Sequence, residues 1–358
     1  MKCKVYLSDE GFGHIVRQRA VLEAMRGLRS DIHFVIQTHQ HLATAKKYIP
    51  FAEPIDRFNN IIWHKKDNGS PDSAAIARGY ADYPERSDVF IQRELAEFDY
   101  DFVISDFVFE AFEVAMLKGV PAFGVAHFTW DWFFSKIYPP AVSSDLIHRF
   151  IRQVGFANRL YFPPFTPDEI LTHYGDQCFE VPLIMKREVD HKTVEANNEV
   201  KILIADSGAG VLARSIQKAL MSAESMSGFR FFVSDKFNVP NSNVSYIPQD
   251  QLMIDYISDM DLVIGRAGFN TISECIGMRT PMLLLGEALN PEMSENLLQL
   301  KKGRLASFIS MATFEHDLQG FLPQFMQHEY PMIKKAMDEH RIETNGAEVI
   351  ARDILSRL

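Results

Sequence analysis

The sequence predicts an α/β protein made of two similar doubly wound domains. Three observations predict it. Short β-branched or apolar runs alternate with helical-period segments, the pattern of a parallel sheet covered by helices. The segment Lys4-Val-Tyr-Leu-Ser-Asp-Glu-Gly-Phe-Gly-His-Ile-Val-Arg17 aligns without a gap on Lys201-Ile-Leu-Ile-Ala-Asp-Ser-Gly-Ala-Gly-Val-Leu-Ala-Arg214, and each reads as a strand, a Gly-x-Gly turn and a helix start. A second pair follows in the same order: Phe102-Val-Ile-Ser-Asp running to Pro121, and Leu262-Val-Ile-Gly-Arg running to Pro281, with one strand-to-proline spacing.

In the first half, strands are expected near Lys4–Ser8, Ile32–Gln37, Phe102–Ser105 and Ala122–Ala126. In the second half they are expected near Lys201–Ala205, Phe229–Val233, Val244–Ile247, Leu262–Ile264 and Met282–Leu285, with helices filling most gaps. The chain has 358 residues, enough for two domains, each with its own core. The division expected is 1–178, 179–342 and a closing helix at 343–358. Glu180-Val-Pro-Leu-Ile reads as a crossing strand or linker, and Thr344 as an N-cap candidate before an apolar stripe.

Composition removes several functions. There are 37 Lys+Arg against 47 Asp+Glu, a net charge of −10, so sequence-independent nucleic-acid binding is not expected. Cys3, Cys178 and Cys275 lie far apart and form no C-x-x-C, which indicates neither a zinc cage nor a disulfide framework and points to a reducing, cytoplasmic compartment. The first residues lack the apolar core and cleavage site of a signal peptide, and no apolar run is long enough for a membrane span.

The glycine loops carry the chemistry. A Gly-rich turn between strand and helix brings backbone N–H groups to a phosphate at the positive end of the helix dipole. Gly11-Phe-Gly13-His14 lacks the third glycine of a dinucleotide fingerprint, and the next strand ends Ile36-Gln37-Thr38 without an acid for a ribose, so NAD is not expected. No P-loop motif occurs. His14 stands where the twin loop has Val211, so one backbone carries a titratable group in one half only; it suits a general base, or a helix-start histidine bonded to a carbonyl. Asp106 and His127 end two strands of the same expected rim, where the plainer reading is a turn residue or cap. The aromatic stretch Phe128–Tyr138 reads first as a core-packed loop, and as an acceptor-binding or membrane-surface patch second. In Gly265-Arg-Ala-Gly-Phe-Asn-Thr-Ile-Ser-Glu274, backbone N–H groups and a hydroxyl suit a diphosphate, and a carboxylate one turn on suits a ribose; an ordinary Gly turn with Thr and Glu as caps is the alternative.

With Ser207-Gly-Ala-Gly210, these segments resemble the nucleotide-sugar glycosyltransferases of GT-B fold, nearest to MurG-type N-acetylglucosaminyltransferases of glycosyltransferase family 28. Asp101–Asp106, Phe128–Trp132 and the ending Asn345-Gly-Ala-Glu-Val-Ile-Ala also resemble the glycosyltransferase-like part of plant arabinokinases. The loop Gly11–Arg17 is similar to that of the UDP-sugar hydrolase of pseudaminic acid synthesis.

The resemblance implies two Rossmann-like domains facing a cleft, with a UDP-sugar held mainly by the second. It implies Gly208 and Gly210 lining the diphosphate, Ile247 beside the base, Gly268, Asn270 and Thr271 on phosphates, and Glu274 on the ribose. His14 would be the catalytic base or an acceptor-positioning group; Asp106 and His127, which the strand reading sets on the same rim, complete the candidate catalytic set, and Arg266 would help to neutralise the diphosphate. In Asn290-Pro-Glu-Met-Ser-Glu-Asn296 the family's sugar-gripping Asn296 is present, but Glu292 and Met293 replace glutamines, which leaves the donor sugar open. No D-x-D stands at a strand end, so transfer to a glycan, lipid-linked sugar or small-molecule acceptor is expected without a cofactor or an obligatory metal. The rivals are a UDP-sugar hydrolase, a GT-B epimerase and a non-catalytic sugar-nucleotide-binding protein. Peripheral contact with the inner face of a membrane follows from the second reading of the aromatic stretch.

Overall fold

A computed structural model describes residues 1–9, 13–59, 64–66, 70–185, 198–205, 212–224, 226–237, 239, 241–248, 251, 254–286 and 290–358. The chain divides into two compact units. The first comprises 1–66, 70–186 and 344–358, and the second 67–69 and 187–343.

The first unit holds a parallel sheet of seven strands: β1 (Lys2–Leu7), β2 (His33–Thr38), β3 (Glu53–Asp56), β4 (Phe102–Asp106), β5 (Ala122–Val125), β6 (Arg159–Phe162) and β7 (Cys178–Glu180). Their order is β3-β2-β1-β4-β5-β6-β7. The near-continuous apolar burial of β1, β4 and β5 reflects helices on both faces. β7 is the segment whose end was read as a crossing strand, and here it closes the edge of the first sheet.

One face of this sheet is covered by the helix Gly13–Leu28 and by the C-terminal helix Gly346–Ser356, which buries Ala347, Ile350, Ala351 and Ile354 in the first unit's core. The C-terminal helix starts at Gly346 with Asn345 as N-cap, and no side chain caps it. Instead, Gly346 N–H donates to the Leu183 carbonyl at 3.0 Å. The other face carries an aromatic core in which Phe128, Trp130, Trp132, Phe133 and Phe134 are all buried. This corrects the second reading of the aromatic stretch: its rings pack on one another and on Phe150, so they form neither an acceptor patch nor a membrane patch. Tyr138 alone among them is fully displayed, at 93% exposure.

The second unit holds six parallel strands: β8 (Val200–Ala205), β9 (Phe229–Ser234), β10 (Val244–Ile247), β11 (Leu262–Arg266), β12 (Met282–Leu285) and β13 (Ala306–Ile309). Their order, β10-β9-β8-β11-β12-β13, repeats that of the first sheet around its central strand. The repeat extends to single bonds. Lys2 N–H donates to Asp101 Oδ2, and Lys201 N–H to Asp261 Oδ2, each at 2.8 Å. Val103 N–H meets the Pro121 carbonyl and Val263 N–H the Pro281 carbonyl, each at 2.9 Å. These bonds make Lys2, rather than Lys4, the structural counterpart of Lys201. The shift of two residues keeps every strand side chain on its face. Val211, the expected twin of His14, lies outside the described residues.

Candidate active site

Strand order decides which side chains meet in the first unit. β1 lies between β2 and β4, with Leu7 opposite Asp106, so the rim of the sheet gathers the ends of three strands. Asp9 fixes that rim: its carboxylate accepts from Thr38 Oγ1 at 2.9 Å and from the backbone N–H groups of His39, Gln40 and Asn59 at 2.7, 3.0 and 3.1 Å. The chain then re-enters as the helix Gly13–Leu28, whose second residue is His14.

The three expected residues of this rim come together. His14 Nδ1 lies 2.9 Å from Asp106 Oδ1; the imidazole keeps 14% exposure and the carboxylate none. What joins His127 to them is Arg17. Its guanidinium donates to Asp106 from Nη2 at 2.6 Å (Oδ1) and from Nε at 3.0 Å (Oδ2), and Nη1 lies 3.1 Å from His127 Nδ1. Gln18 Nε2 adds a bond to Asp106 Oδ2 at 3.1 Å. Burial alone would raise the Asp106 carboxyl, but the Arg17 guanidinium, with His14, outweighs burial and holds it well below the usual carboxylate range.

Sequence reading gave Arg17 no role. The available signal was its spacing: three residues after His14 on a helix, it shares the histidine's face. His41 was also missed. It precedes the helix Leu42–Tyr48, and burial lowers its imidazole, as would a protonated His14, against an opposing pull from Asp9.

Beneath these groups lies Phe107. Its ring is 5.2 Å from His14, 5.5 Å from His127 and 5.7 Å from the Arg17 guanidinium carbon. Its φ of 65° is left-handed, which costs about 1–3 kcal/mol for a bulky residue and is held here by the ring's packing and by Trp130 Nε1, which donates to the Phe107 carbonyl at 3.1 Å.

In the second unit, Arg266 ends β11, Gly268 stands at the N-cap, and the helix Phe269–Met278 carries Asn270, Thr271 and Glu274 in its first two turns. Gly265 is needed for packing, because a Cβ there would meet the Ala205 carbonyl oxygen at 3.0 Å. Gly268 has no such need: its φ is −72° and a Cβ would find open space. Its backbone is simply left bare at the helix start.

Asn296 is fully buried, and its amide donates to the Ala267 carbonyl at 2.8 Å, so it holds the loop that carries Gly268. Glu292, in the first turn of the helix Pro291–Gly303, accepts from Phe269 N–H at 3.4 Å. Glu274 is half-buried; burial pushes its carboxyl up to about 8, and the charge of Asp255 adds to the shift. Ile247 ends the edge strand β10, and its carbonyl accepts from Asp235 N–H at 2.9 Å. Gly208 and Gly210 lie outside the described residues. Among the described residues, no group of three or more His, Cys, Asp or Glu could hold a metal ion, and no helix is long and apolar enough to cross a membrane.

Residues 225–353 match the glycosyltransferase family 28 C-terminal domain. No curated protein matches the chain in sequence. Three solved structures illustrate its likeness in fold. MurG of Acinetobacter baumannii is 13% identical with a TM-score of 0.60, and all of both chains is covered. The spinosyn rhamnosyltransferase SpnG, complexed with thymidine diphosphate, is 11% identical with a TM-score of 0.67, over 99% of this chain and 100% of that one. Phytolacca americana UGT2, complexed with UDP-2fluoro-glucose and pterostilbene, is 11% identical with a TM-score of 0.67, over 100% and 99%. With its two Rossmann-like units and these neighbours, the chain has the GT-B fold, and the match to the family 28 C-terminal domain runs through its second unit into the C-terminal helix.

Proposed function

We propose that this protein is a glycosyltransferase that moves a sugar from a UDP-sugar donor to an acceptor hydroxyl, without an obligatory metal. The observation that carries this reading is the His14–Asp106 pair. An ionised carboxylate can only accept, so His14 donates from Nδ1, and Nε2 keeps the lone pair a general base needs. His14 Nε2 takes the proton of the acceptor hydroxyl as its oxygen attacks the anomeric carbon, and the bond to the diphosphate breaks. General-base help of this kind contributes about 10²–10⁴-fold.

The donor is assigned to the second unit. The start of the helix Phe269–Met278 offers backbone N–H groups beside Arg266, and the bare backbone at Gly268 lets a phosphate approach closely. Phosphate replaces Glu292 on Phe269 N–H, which turns the Glu292 carboxylate towards the hydroxyls of the donor sugar. Glu274 accepts from the ribose, and the diphosphate leaves on these groups with the helix dipole in place of a cation.

The deciding experiment incubates the full chain with a panel of UDP-sugars, with and without alcohol acceptors, in the presence of a chelator. Release of UDP that depends on an acceptor is expected. Equal release without an acceptor reassigns the site to hydrolysis. Binding without turnover under every condition removes the enzymatic reading.

A further inference from the structure

We propose that Arg17 is a positioning residue that locks His14 and His127 in opposite tautomers and balances the charge of the Asp106 carboxylate beside His14. The first part follows from donor counting. A guanidinium has only donors and does not lose its proton. With Arg17 Nη1 3.1 Å from His127 Nδ1, that nitrogen must accept, and the proton of His127 sits on Nε2. Asp106 is ionised and acceptor-only, so His14 Nδ1 at 2.9 Å must donate, and its Nε2 is bare. Arg17 Nη2 also lies 3.1 Å from His14 Nδ1 and carries a second proton, but an accepting Nδ1 would set its lone pair against that of the ionised Asp106 Oδ1 at 2.9 Å, so the proton stays on Nδ1. One side chain thus gives two neighbouring imidazoles opposite faces.

The second part is electrostatic. A carboxylate touching an imidazole favours the imidazolium, which cannot act as a base. Arg17 binds both oxygens of Asp106 and opposes that effect from 3.1 Å, against 2.9 Å for the carboxylate. The other groups facing His14 are His127 beyond β5, His41 before the helix Leu42–Tyr48, and the uncharged ring of Phe107. None of them supplies the missing positive charge when all imidazoles are neutral. The consequence for catalysis rests on the reading of His14 as the base; the tautomers do not.

The test has two arms. Nitrogen-15 NMR of the full chain, above the titration range of its histidines, reads the tautomers directly. The two rings are assigned by the signals lost in His14→Gln and His127→Gln. The expected result is a proton on Nδ1 of His14 and on Nε2 of His127; one tautomer shared by both rings overturns the proposal. The other arm is kinetic. In Arg17→Gln the acid limb of the kcat profile moves up by about one pH unit or more, with the donor KM unchanged. In Arg17→Lys, which keeps the charge and loses the fork, the limb returns towards that of the wild type while His127 becomes a mixture of tautomers. An unmoved limb in folded Arg17→Gln overturns the charge-balancing role. Should Arg17→Gln not fold, the wild-type nitrogen signals and Arg17→Lys still decide. Full turnover in His14→Gln would instead remove His14 as the base and leave the NMR result standing.

Discussion

His14 Nδ1 and Asp106 Oδ1 stand 2.9 Å apart although 92 residues separate them in the chain. The contact exists because β1 and β4 are neighbours in register, with Leu7 opposite Asp106, and because the helix that follows β1 begins one residue before His14. If this pair supplies the base, His14→Gln lowers kcat by about 10²–10⁴-fold while UDP affinity stays within about twofold, since the nucleotide is assigned to the other unit. Steady-state kinetics and calorimetry check the two halves of this expectation. Unchanged kcat would reduce His14 to a helix-start residue.

If Glu274 takes the ribose, it makes nucleotide binding and stability depend on pH in opposite senses. Its carboxyl is raised from an ordinary 4.5 to about 8, so across that window the folded chain keeps a proton that the unfolded chain has lost. Stability therefore falls as pH rises from about 4.5 to 8. Glu274→Gln removes that loss: its melting temperature should exceed the wild type's at about pH 8.5 and match it near about pH 4.5. Ribose hydroxyls, by contrast, need the ionised carboxylate as acceptor. Wild-type affinity for UDP should climb by up to about tenfold per pH unit between about pH 6 and 8, whereas Glu274→Gln should bind independently of pH there, and about tenfold or more weakly at the upper end. Parallel pH profiles in the two proteins would remove Glu274 from the site.

Asn296→Ala should cost about 1–3 kcal/mol, because it leaves the buried Ala267 carbonyl without its donor. Since that carbonyl belongs to the loop bearing Gly268, UDP affinity should fall along with stability. Denaturant unfolding and calorimetry on one sample measure both, and a loss of affinity with no loss of stability would mean that Asn296 touches the donor directly.

The C-terminal helix is admitted by a single glycine. A Cβ on Gly346 would lie 2.1 Å from the Pro182 carbonyl oxygen, so Gly346→Ala must shift the helix away from the first unit's core. A loss of about 1–3 kcal/mol is expected, read as a lower melting temperature. An unchanged melting temperature would mean that the helix start moves freely.

Arg279 and Arg304 end their helices in the left-handed conformation, with φ of 57° and 54°, where glycine is at ease. Both are exposed. Replacing either with glycine should stabilise the protein by about 0.5–1 kcal/mol, the relief of Cβ strain exceeding the added chain entropy. Gly119 already holds the equivalent position in the first unit, with φ of 69°.

The sequence by itself determined what depends on local periodicity and on repetition. Nine strands, the kinship of the halves and the placing of His14, Asp106 and His127 on one rim follow from short β-branched or apolar runs punctuated by glycine turns. The strands it missed are β3, β6, β7 and β13; β3 and β7 lie at the edges of the first sheet and bury none of their residues, so they carry no apolar run. Tertiary structure decided everything that depends on which strands are neighbours. It alone brought Arg17 onto Asp106 and His127, buried the aromatic stretch after β5, and returned residues 346–356 to the first unit. It also showed Lys2 to be the counterpart of Lys201, because ladder register is fixed by bonds between strands. A charge such as that of Arg17 has no period to reveal its purpose. Its meaning comes from the buried carboxylate it neutralises, and strand order is what sets that carboxylate beside it.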